Sequence, residues 1–250
     1  MLKWLYRFGS PKLFYQLTDS GIRWMALICA SLFFIGIVWA LLLAPPDYQM
    51  GDSYRIIYIH VPSAGLMQGC YYLMALMSFT YLIWGIKMAD IVAQACAPIG
   101  ATAAALMLIS GSLWGVPTWG TFWAWDARLT SSLLMFFIYI GIISLRSSYE
   151  SKESGSKLCA MLTLVGLINI PIIQFSVEWW NTLHQPSSQL SLRNTAANPP
   201  EIWVPAFILG FAMIAFFFLV LTLRVRNEIL WRERRTQWVR QHLLGGDDNA

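Results

Sequence analysis

Charge is the scarcest property of this sequence. Only 12% of its 250 residues are Asp, Glu, Lys or Arg, whereas 57% are hydrophobic. Average soluble proteins carry about 25% charged residues. The mean hydropathy is +0.55. This composition excludes an ordinary soluble globular protein and favours a chain with several membrane spans.

Motifs for nucleotide hydrolysis and thiol chemistry are also absent. No GxxxxGK[ST] loop occurs, so any ATP hydrolysis is expected on another chain. The four cysteines form no CxxC pair and all fall in apolar stretches, as is typical of small buried residues. The net charge of +4 comes largely from basic tails next to apolar spans. It therefore indicates contact with anionic membrane lipid rather than with nucleic acid.

Six apolar stretches are long enough to cross a bilayer as helices, which takes roughly 20 residues each. The sequence therefore predicts an all-α polytopic membrane protein, formed as a single six-helix domain over residues 1–250. The predicted spans are 24–44, 62–86, 94–116, 129–146, 158–177 and 203–223, followed by a basic tail over 224–250. The first run is too long for the apolar core of a cleaved signal peptide and is predicted to be retained.

The distribution of basic residues predicts the orientation in the membrane. Of the 17 Lys and Arg residues, only Arg55, Arg128 and Arg193 lie in the first, third and fifth connections. Because Lys and Arg concentrate in cytoplasmic loops, both termini are predicted to be cytoplasmic. The amphipathic ends of the chain are expected to lie on the inner leaflet, with His242 as a solvated residue of the tail.

Two histidines fall on the predicted outer side, His60 beside the second span and His184 after the fifth. Each is followed closely by a proline, Pro62 or Pro186, which restrains the local backbone. Either histidine alone is more typical of a hydrogen-bonded spectator than of a ligand. Together, at similar depth, they could hold a planar cofactor from both faces, as axial ligands hold a haem iron.

The third connection, "WGTFWAWDARLT" over residues 119–130, is unusually rich in tryptophan, and Trp114 lies just before it. If residues 119–126 are helical, Trp119, Phe122, Trp123 and Asp126 share one face. That face would be a flat apolar platform suited to a large planar ligand. An interfacial aromatic belt of a membrane protein explains the same residues equally well.

Two of the outer arginines lie close to these features in the sequence. Arg55 precedes His60 by five residues, and Arg128 follows Asp126 by two. Guanidinium groups pair well with carboxylates such as haem propionates. Asp126 could orient Arg128 or simply cap the fourth span, and both alternatives remain open.

The segment over residues 117–128 resembles the WWD segment of haem-handling proteins of cytochrome c maturation, most closely the CcmC (haem exporter C) family. The resemblance rests on "WGTFWAWDARLT" with one histidine before it and one after. It implies haem b bound at the periplasmic face of a bacterial inner membrane, with His60 and His184 as axial ligands. Trp119, Trp123, Trp125, Asp126 and Arg128 match the WWD string, whereas Phe122 replaces a tryptophan that is frequent there.

The resemblance also implies the partners of this chain. They are the haem chaperone CcmE, the ABC transporter subunits CcmA and CcmB, and the small membrane protein CcmD. The expected role is delivery of haem to CcmE rather than an enzymatic activity of its own. The residues alone leave two alternatives: a bis-histidine electron-transfer subunit and a permease subunit of an ABC transporter.

Overall fold

The computed structural model describes residues 9–149, 152–184 and 200–243, with only the backbone at 152 and 153. Within these residues the chain forms nine α-helices. They are α1 (Pro11–Asp19), α2 (Gly21–Val38), α3 (Ile57–Trp84), α4 (Lys87–Trp119), α5 (Ala127–Ser147), α6 (Lys152–Gly166), α7 (Asn169–Trp179), α8 (Pro200–Arg232) and α9 (Gln237–Leu243). A π-helical turn over Trp39–Leu43 extends α2, and a 3-10 turn over Asp52–Ile56 precedes α3.

Six helical segments of the described chain are long and apolar enough to cross a membrane, which confirms the predicted fold class. They are Gly21–Leu43, Asp52–Trp84, Lys87–Trp119, Ala127–Ser147, Ser154–Trp179 and Pro200–Arg232. Several run beyond the predicted ends. The last continues through residues 224–232, which were expected to belong to the tail, because no helix-breaking residue interrupts them.

The fifth membrane-length segment is two helices rather than one. Turns at Leu167 and Ile168 separate α6 from α7. Pro171 lies in the first turn of α7, where its missing N–H removes no intrahelical bond but prevents continuation from α6. This break directs α7 and the residues after it toward the end of the bundle where α4 ends.

The helix α4 is the most buried of the membrane-length segments and packs against α3, α5 and α8. Two perpendicular tyrosines organise this core: the rings of Tyr71 and Tyr139 lie 5.2 Å apart. Their hydroxyls donate to Thr163 O at 2.9 Å and to Met67 O at 2.7 Å, so neither is left unsatisfied. A side chain at Gly100 would overlap the Tyr139 ring, which explains a glycine at this contact.

The two ends of the bundle differ in chemistry. At one end, the Asp90 end, the buried carboxylate of Asp90 pairs with Arg146 at 3.1 Å and with Arg232 at 2.6 Å. Arg232 also contacts Glu228 at 2.5 Å. The network joins α4, α5 and α8. The opposite end, the His60 end, carries His60, the aromatic connection and His184.

The two terminal helices pack against each other at the Asp90 end. The hydroxyl of Tyr15 on α1 lies 2.9 Å from Nε2 of His242 on α9, and the Arg226 guanidinium covers the Tyr15 ring at 3.7 Å. Arg226 also pairs with Asp19 at 2.6 Å. The side chain of His242 is exposed, as expected, but its ring bonds to Tyr15 rather than only to solvent.

Candidate functional site

The aromatic connection is a folded-back loop, so the condition for a shared helical face of Trp119, Phe122, Trp123 and Asp126 is not met. Helix α4 ends at Trp119, where Gly120 takes a left-handed conformation with φ of 72°. Residues 121–126 are not helical. A Cβ at Gly115 would come within 2.8 Å of Thr121 O, so a glycine there lets the loop fold against α4. Only part of the aromatic set therefore faces the same way.

One cavity at the His60 end brings together six of the residues singled out from the sequence. Its walls come from α3, α4, α5, α7 and the segment after α7. The predicted site residues that line it are His60, Trp114, Trp119, Trp123, Arg128 and His184. Its empty volume is about 780 Å³, a figure that includes space open to solvent.

His60 is held in one orientation by α4. Its Nδ1 lies 3.0 Å from Met107 O and 3.2 Å from Ser110 Oγ. The Ser110 hydroxyl donates to Leu106 O at 2.6 Å, so it offers His60 a lone pair rather than a proton. Both contacts therefore require the proton on Nδ1, and this tautomer leaves Nε2 as the basic nitrogen. A hydrogen bond that fixes the second nitrogen is typical of histidines that bind metals.

Close packing against α4 also fixes the His60 ring. A Cβ at Gly111 would lie 2.6 Å from His60 Cε1. The Trp114 ring, one turn further along α4, meets the His60 ring edge-on with centroids 5.9 Å apart. Glycine at 111 and tryptophan at 114 thus form a slot that determines how far the imidazole enters the cavity.

His184, in the segment after α7, lines the same cavity as His60. Its ring lies 6.2 Å from that of Trp119, at the end of α4. The preceding residue is held by the loop, because Leu183 N–H donates to Asp126 Oδ2 at 3.2 Å. The other oxygen, Oδ1, accepts from Leu129 N–H at 2.8 Å and caps α5. One carboxylate therefore joins the start of α5 to the His184 segment.

Arg128 lines the cavity without a fixed partner. Within the described part of the chain, its guanidinium makes no hydrogen bond or ion pair. The Asp126 carboxylate is near enough to act on it electrostatically but is occupied by two backbone N–H groups. Asp126 was a candidate either for orienting Arg128 or for capping the fourth span. The structure shows that it caps α5. Arg128 remains available for an anionic ligand.

Two indole N–H groups at the cavity also lack acceptors. Nε1 of Trp114 and Nε1 of Trp123 are buried and have no hydrogen-bond partner among the described residues. An unpaired buried donor is costly, with a desolvation penalty of about 1–3 kcal/mol. Both residues line the cavity, so a ligand with acceptor atoms would relieve this cost.

Four predicted site residues do not line the cavity, and one of them is Asp126, whose carboxylate accepts from Leu129 and Leu183 instead. Phe122 and Trp125 are 56% and 78% exposed and point away from it, since the loop is not helical. Arg55 faces the end of α2. It pairs with Asp52 at 2.9 Å and donates to the carbonyls of Ala40 and Ala44. Its nearness to His60 in sequence therefore does not place it with the ligand groups. Arg193 lies outside the described residues.

The sequence reasoning missed several residues that shape the site. Gln68 and Ser132 line the cavity from α3 and α5, and Gly111 admits the His60 ring. Gln68 lies eight residues after His60, a spacing that places both on one face of a helix. That periodicity was a usable signal. No sequence signal indicated the role of Gly111, because that role depends on packing between two helices.

Comparison with known proteins identifies the family. The family described as heme exporter protein C (CcmC) matches residues 4–240. Heme exporter protein C of Escherichia coli K12 is 42% identical over 246 residues, covering 98% of each chain. The Bradyrhizobium diazoefficiens protein of the same name is 41% identical over 228 residues, covering 91% of this chain and 86% of its own. The chain belongs to the CcmC family.

One of the relatives is a mitochondrial protein rather than a bacterial one. A putative cytochrome c biosynthesis ccmC-like mitochondrial protein of Marchantia polymorpha is 42% identical over 191 residues. The match covers 76% of this chain and 79% of that protein. The family assignment covers nearly the whole chain. It therefore includes both histidines and the aromatic loop rather than a shared helical segment alone.

Proposed function

We propose that this CcmC-family chain binds haem in the cavity at the His60 end and delivers it during maturation of c-type cytochromes. The names of its relatives, heme exporter and cytochrome c biosynthesis protein, support a role in haem handling. The observation that carries the proposal is that His60 and His184, nearly half the chain apart, line one cavity. Haem is the cargo of this site rather than a catalytic group.

The cavity fits the chemistry of haem in three respects. The imidazole of His60 presents its basic Nε2, and His184 supplies a second imidazole, so the iron would take one axial ligand from each. Trp114, Trp119 and Trp123 supply aromatic surface for the ring. The free guanidinium of Arg128 can pair with a propionate. The two unpaired indole N–H groups can donate to propionate oxygens.

The open mouth of the cavity suits delivery rather than permanent storage. The cavity is not fully enclosed, so on this proposal one haem edge would stay accessible to an acceptor. The bias of Lys and Arg favours a periplasmic His60 end and a cytoplasmic Asp90 end. On this orientation the chain presents haem b to the chaperone CcmE at the periplasmic face of the inner membrane. CcmA, CcmB and CcmD would complete the ABC-type complex.

Complementation tests this function. A bacterium that lacks its own CcmC would receive the wild-type chain, and covalent haem on CcmE and on a c-type cytochrome would be measured by haem staining. The wild-type chain is expected to restore both signals. His60→Ala and His184→Ala are expected to lose them while accumulating in the membrane at wild-type levels.

His242→Ala is the matched control, because His242 bonds to Tyr15 at the opposite end of the bundle. It is expected to retain both signals. Haem attachment to CcmE at wild-type levels in both cavity variants would contradict the proposed function. Loss of the signals in His242→Ala as well would show that the assay reports on folding rather than on the cavity.

A further inference from the structure

A second, narrower groove lies between α3, α4 and α8. On α3, His60, Ala64 and Met67 face the haem cavity, whereas Ser63 and Leu66 line this groove. Its empty volume is about 560 Å³, including open space. The walls are largely apolar and include Ile99, Ala103, Leu106 and Val220. Three polar residues, Ser63, Thr102 and Arg224, lie among them, and the Thr102 hydroxyl donates to Pro98 O.

Ser63 is a buried hydroxyl without a partner. Its side chain is 0% exposed, and Oγ makes no hydrogen bond to any described residue. Serines within helices commonly donate to the carbonyl four residues earlier, as Ser110 and Ser131 do here. Because Oγ is fully covered by protein atoms, a ligand in the groove would contact the apolar walls around Ser63 rather than this hydroxyl.

Arg224 is a cation without a partner at the Asp90 end of the groove. Arg146, Arg226 and Arg232 all form ion pairs, whereas Arg224 forms no hydrogen bond or ion pair within the described residues. It is exposed and also lines the adjoining cavity of about 1,300 Å³ at the Asp90 end. Its guanidinium therefore has no carboxylate within ion-pair distance among the described residues, although Glu228 and Asp90 line the same cavity.

The shape of the groove favours a linear apolar ligand. Met213, Phe216, Val220 and Arg224 line it from one face of α8. Eleven residues of helix rise about 16 Å, so the apolar part extends deep into the membrane-spanning region. One free cation matches one phosphodiester charge. Haem fits less well, because it carries two carboxylates and the neighbouring arginines are already paired with Asp90.

We propose that this groove binds one acyl chain of an anionic phospholipid, with the lipid phosphate paired to Arg224. The proposal rests on the membrane orientation given under the proposed function, which places Arg224 at the inner leaflet. It does not depend on haem binding, so the two proposals can fail separately.

Lipid retention by the full chain, purified without haem in a mild detergent, tests the proposal. Native mass spectrometry would count bound lipids after incubation with phosphatidylglycerol or, separately, phosphatidylcholine. The wild type is expected to keep one phosphatidylglycerol and to discriminate against phosphatidylcholine. Arg224→Gln is expected to lower that retention about tenfold, because a charge-assisted bond is lost. Arg235→Gln, an exposed arginine outside the groove, is the control.

A second variant tests the groove itself. Thr102 is an exposed groove residue of α4, so Thr102→Trp is expected to cover the groove and lower retention without disturbing the core. Ile109→Trp, also exposed and on α4 but outside the groove, is its control. Wild-type retention in Arg224→Gln, no bound lipid in the wild type, or equal retention of both lipids would overturn the proposal. Weaker binding of haem by Arg224→Gln in a separate haem titration would instead assign the groove to haem and also overturn the proposal.

Discussion

The carboxylate of Asp126 and the backbone N–H of Leu183 form a hydrogen bond of 3.2 Å between the aromatic loop and the His184 segment. The same carboxylate caps α5 through Leu129. Asp126 thus acts on the proposed haem ligand through the backbone next to it. This contact links two parts of the chain that are distant in sequence, and it explains a carboxylate in an otherwise aromatic loop.

Substitutions at Asp126 are expected to separate its two roles. Asn is a good helix cap but has only one acceptor atom, so Asp126→Asn keeps the bond to Leu129 and loses that to Leu183. It is expected to release haem faster with little change in thermal stability. Asp126→Ala loses both bonds and is expected to cost a further ~1 kcal/mol of stability.

Haem-transfer kinetics and thermal unfolding of the haem-free protein would measure these effects. Asp52→Asn is the control, because that carboxylate is exposed at the same end of the bundle and, among the described residues, forms an ion pair with Arg55 alone. Haem release at the wild-type rate from Asp126→Asn would show that the Leu183 contact does not position His184.

Gly111→Ala is expected to disturb the His60 ligand while leaving the fold intact. Alanine stabilises a helix by about 0.5–1 kcal/mol relative to glycine. The added Cβ, however, would lie 2.6 Å from His60 Cε1 and push the ring off Met107 O. The fraction of low-spin haem in the absorbance spectrum is expected to fall. Gly141→Ala is the control, because a Cβ there meets open space. The same low-spin fraction in both variants would show that Gly111 does not position the His60 ring.

The two arginines at the His60 end are expected to differ in effect. Arg128→Gln removes the unpaired cavity cation and is expected to raise the haem dissociation constant about tenfold. Arg55→Gln leaves two carbonyls and Asp52 without their donor, so it is expected to lower thermal stability instead. Haem titration would measure the affinity of each variant for haem, and thermal unfolding would measure the stability of each. A larger loss of haem affinity in Arg55→Gln would reverse the assignment.

The tryptophans of the loop are likewise expected to differ. Trp123→Phe keeps an aromatic ring but removes the unpaired indole N–H, so haem dissociation is expected to be about tenfold faster. Trp125→Phe changes a residue that is 78% exposed and is expected to leave the rate unchanged. Stopped-flow transfer of haem to apomyoglobin would give both rates. Equal rates for the two variants would contradict a role for the Trp123 N–H.

The fold was predictable because membrane spans are long and uniformly apolar. All six were expected; their ends differed, and the fifth is divided into α6 and α7. The residues alone left the conformation of the loop open, and its non-helical form follows from Gly120, which ends α4 in a left-handed conformation. A glycine directly after a helical run is a common helix end, so this signal was present in the sequence.

The site was only partly predictable, since proximity in sequence does not give side-chain direction. Arg55 and Arg128 were equal candidates, yet Arg55 folds back onto Ala40 and Ala44 whereas Arg128 lines the cavity. The hydrogen bond between Asp126 and Leu183 and the packing of His60 against Gly111 depend on contacts between distant parts of the chain. Such contacts leave no periodic trace in a single sequence.

The spectrum of the isolated haem-loaded protein tests the central claim most directly. Electron paramagnetic resonance of the ferric wild type is expected to show low-spin haem with two imidazole ligands. His60→Ala and His184→Ala should each become high-spin and recover the low-spin signal with added imidazole, while His242→Ala stays unchanged. A wild-type spectrum in both cavity variants would contradict the account.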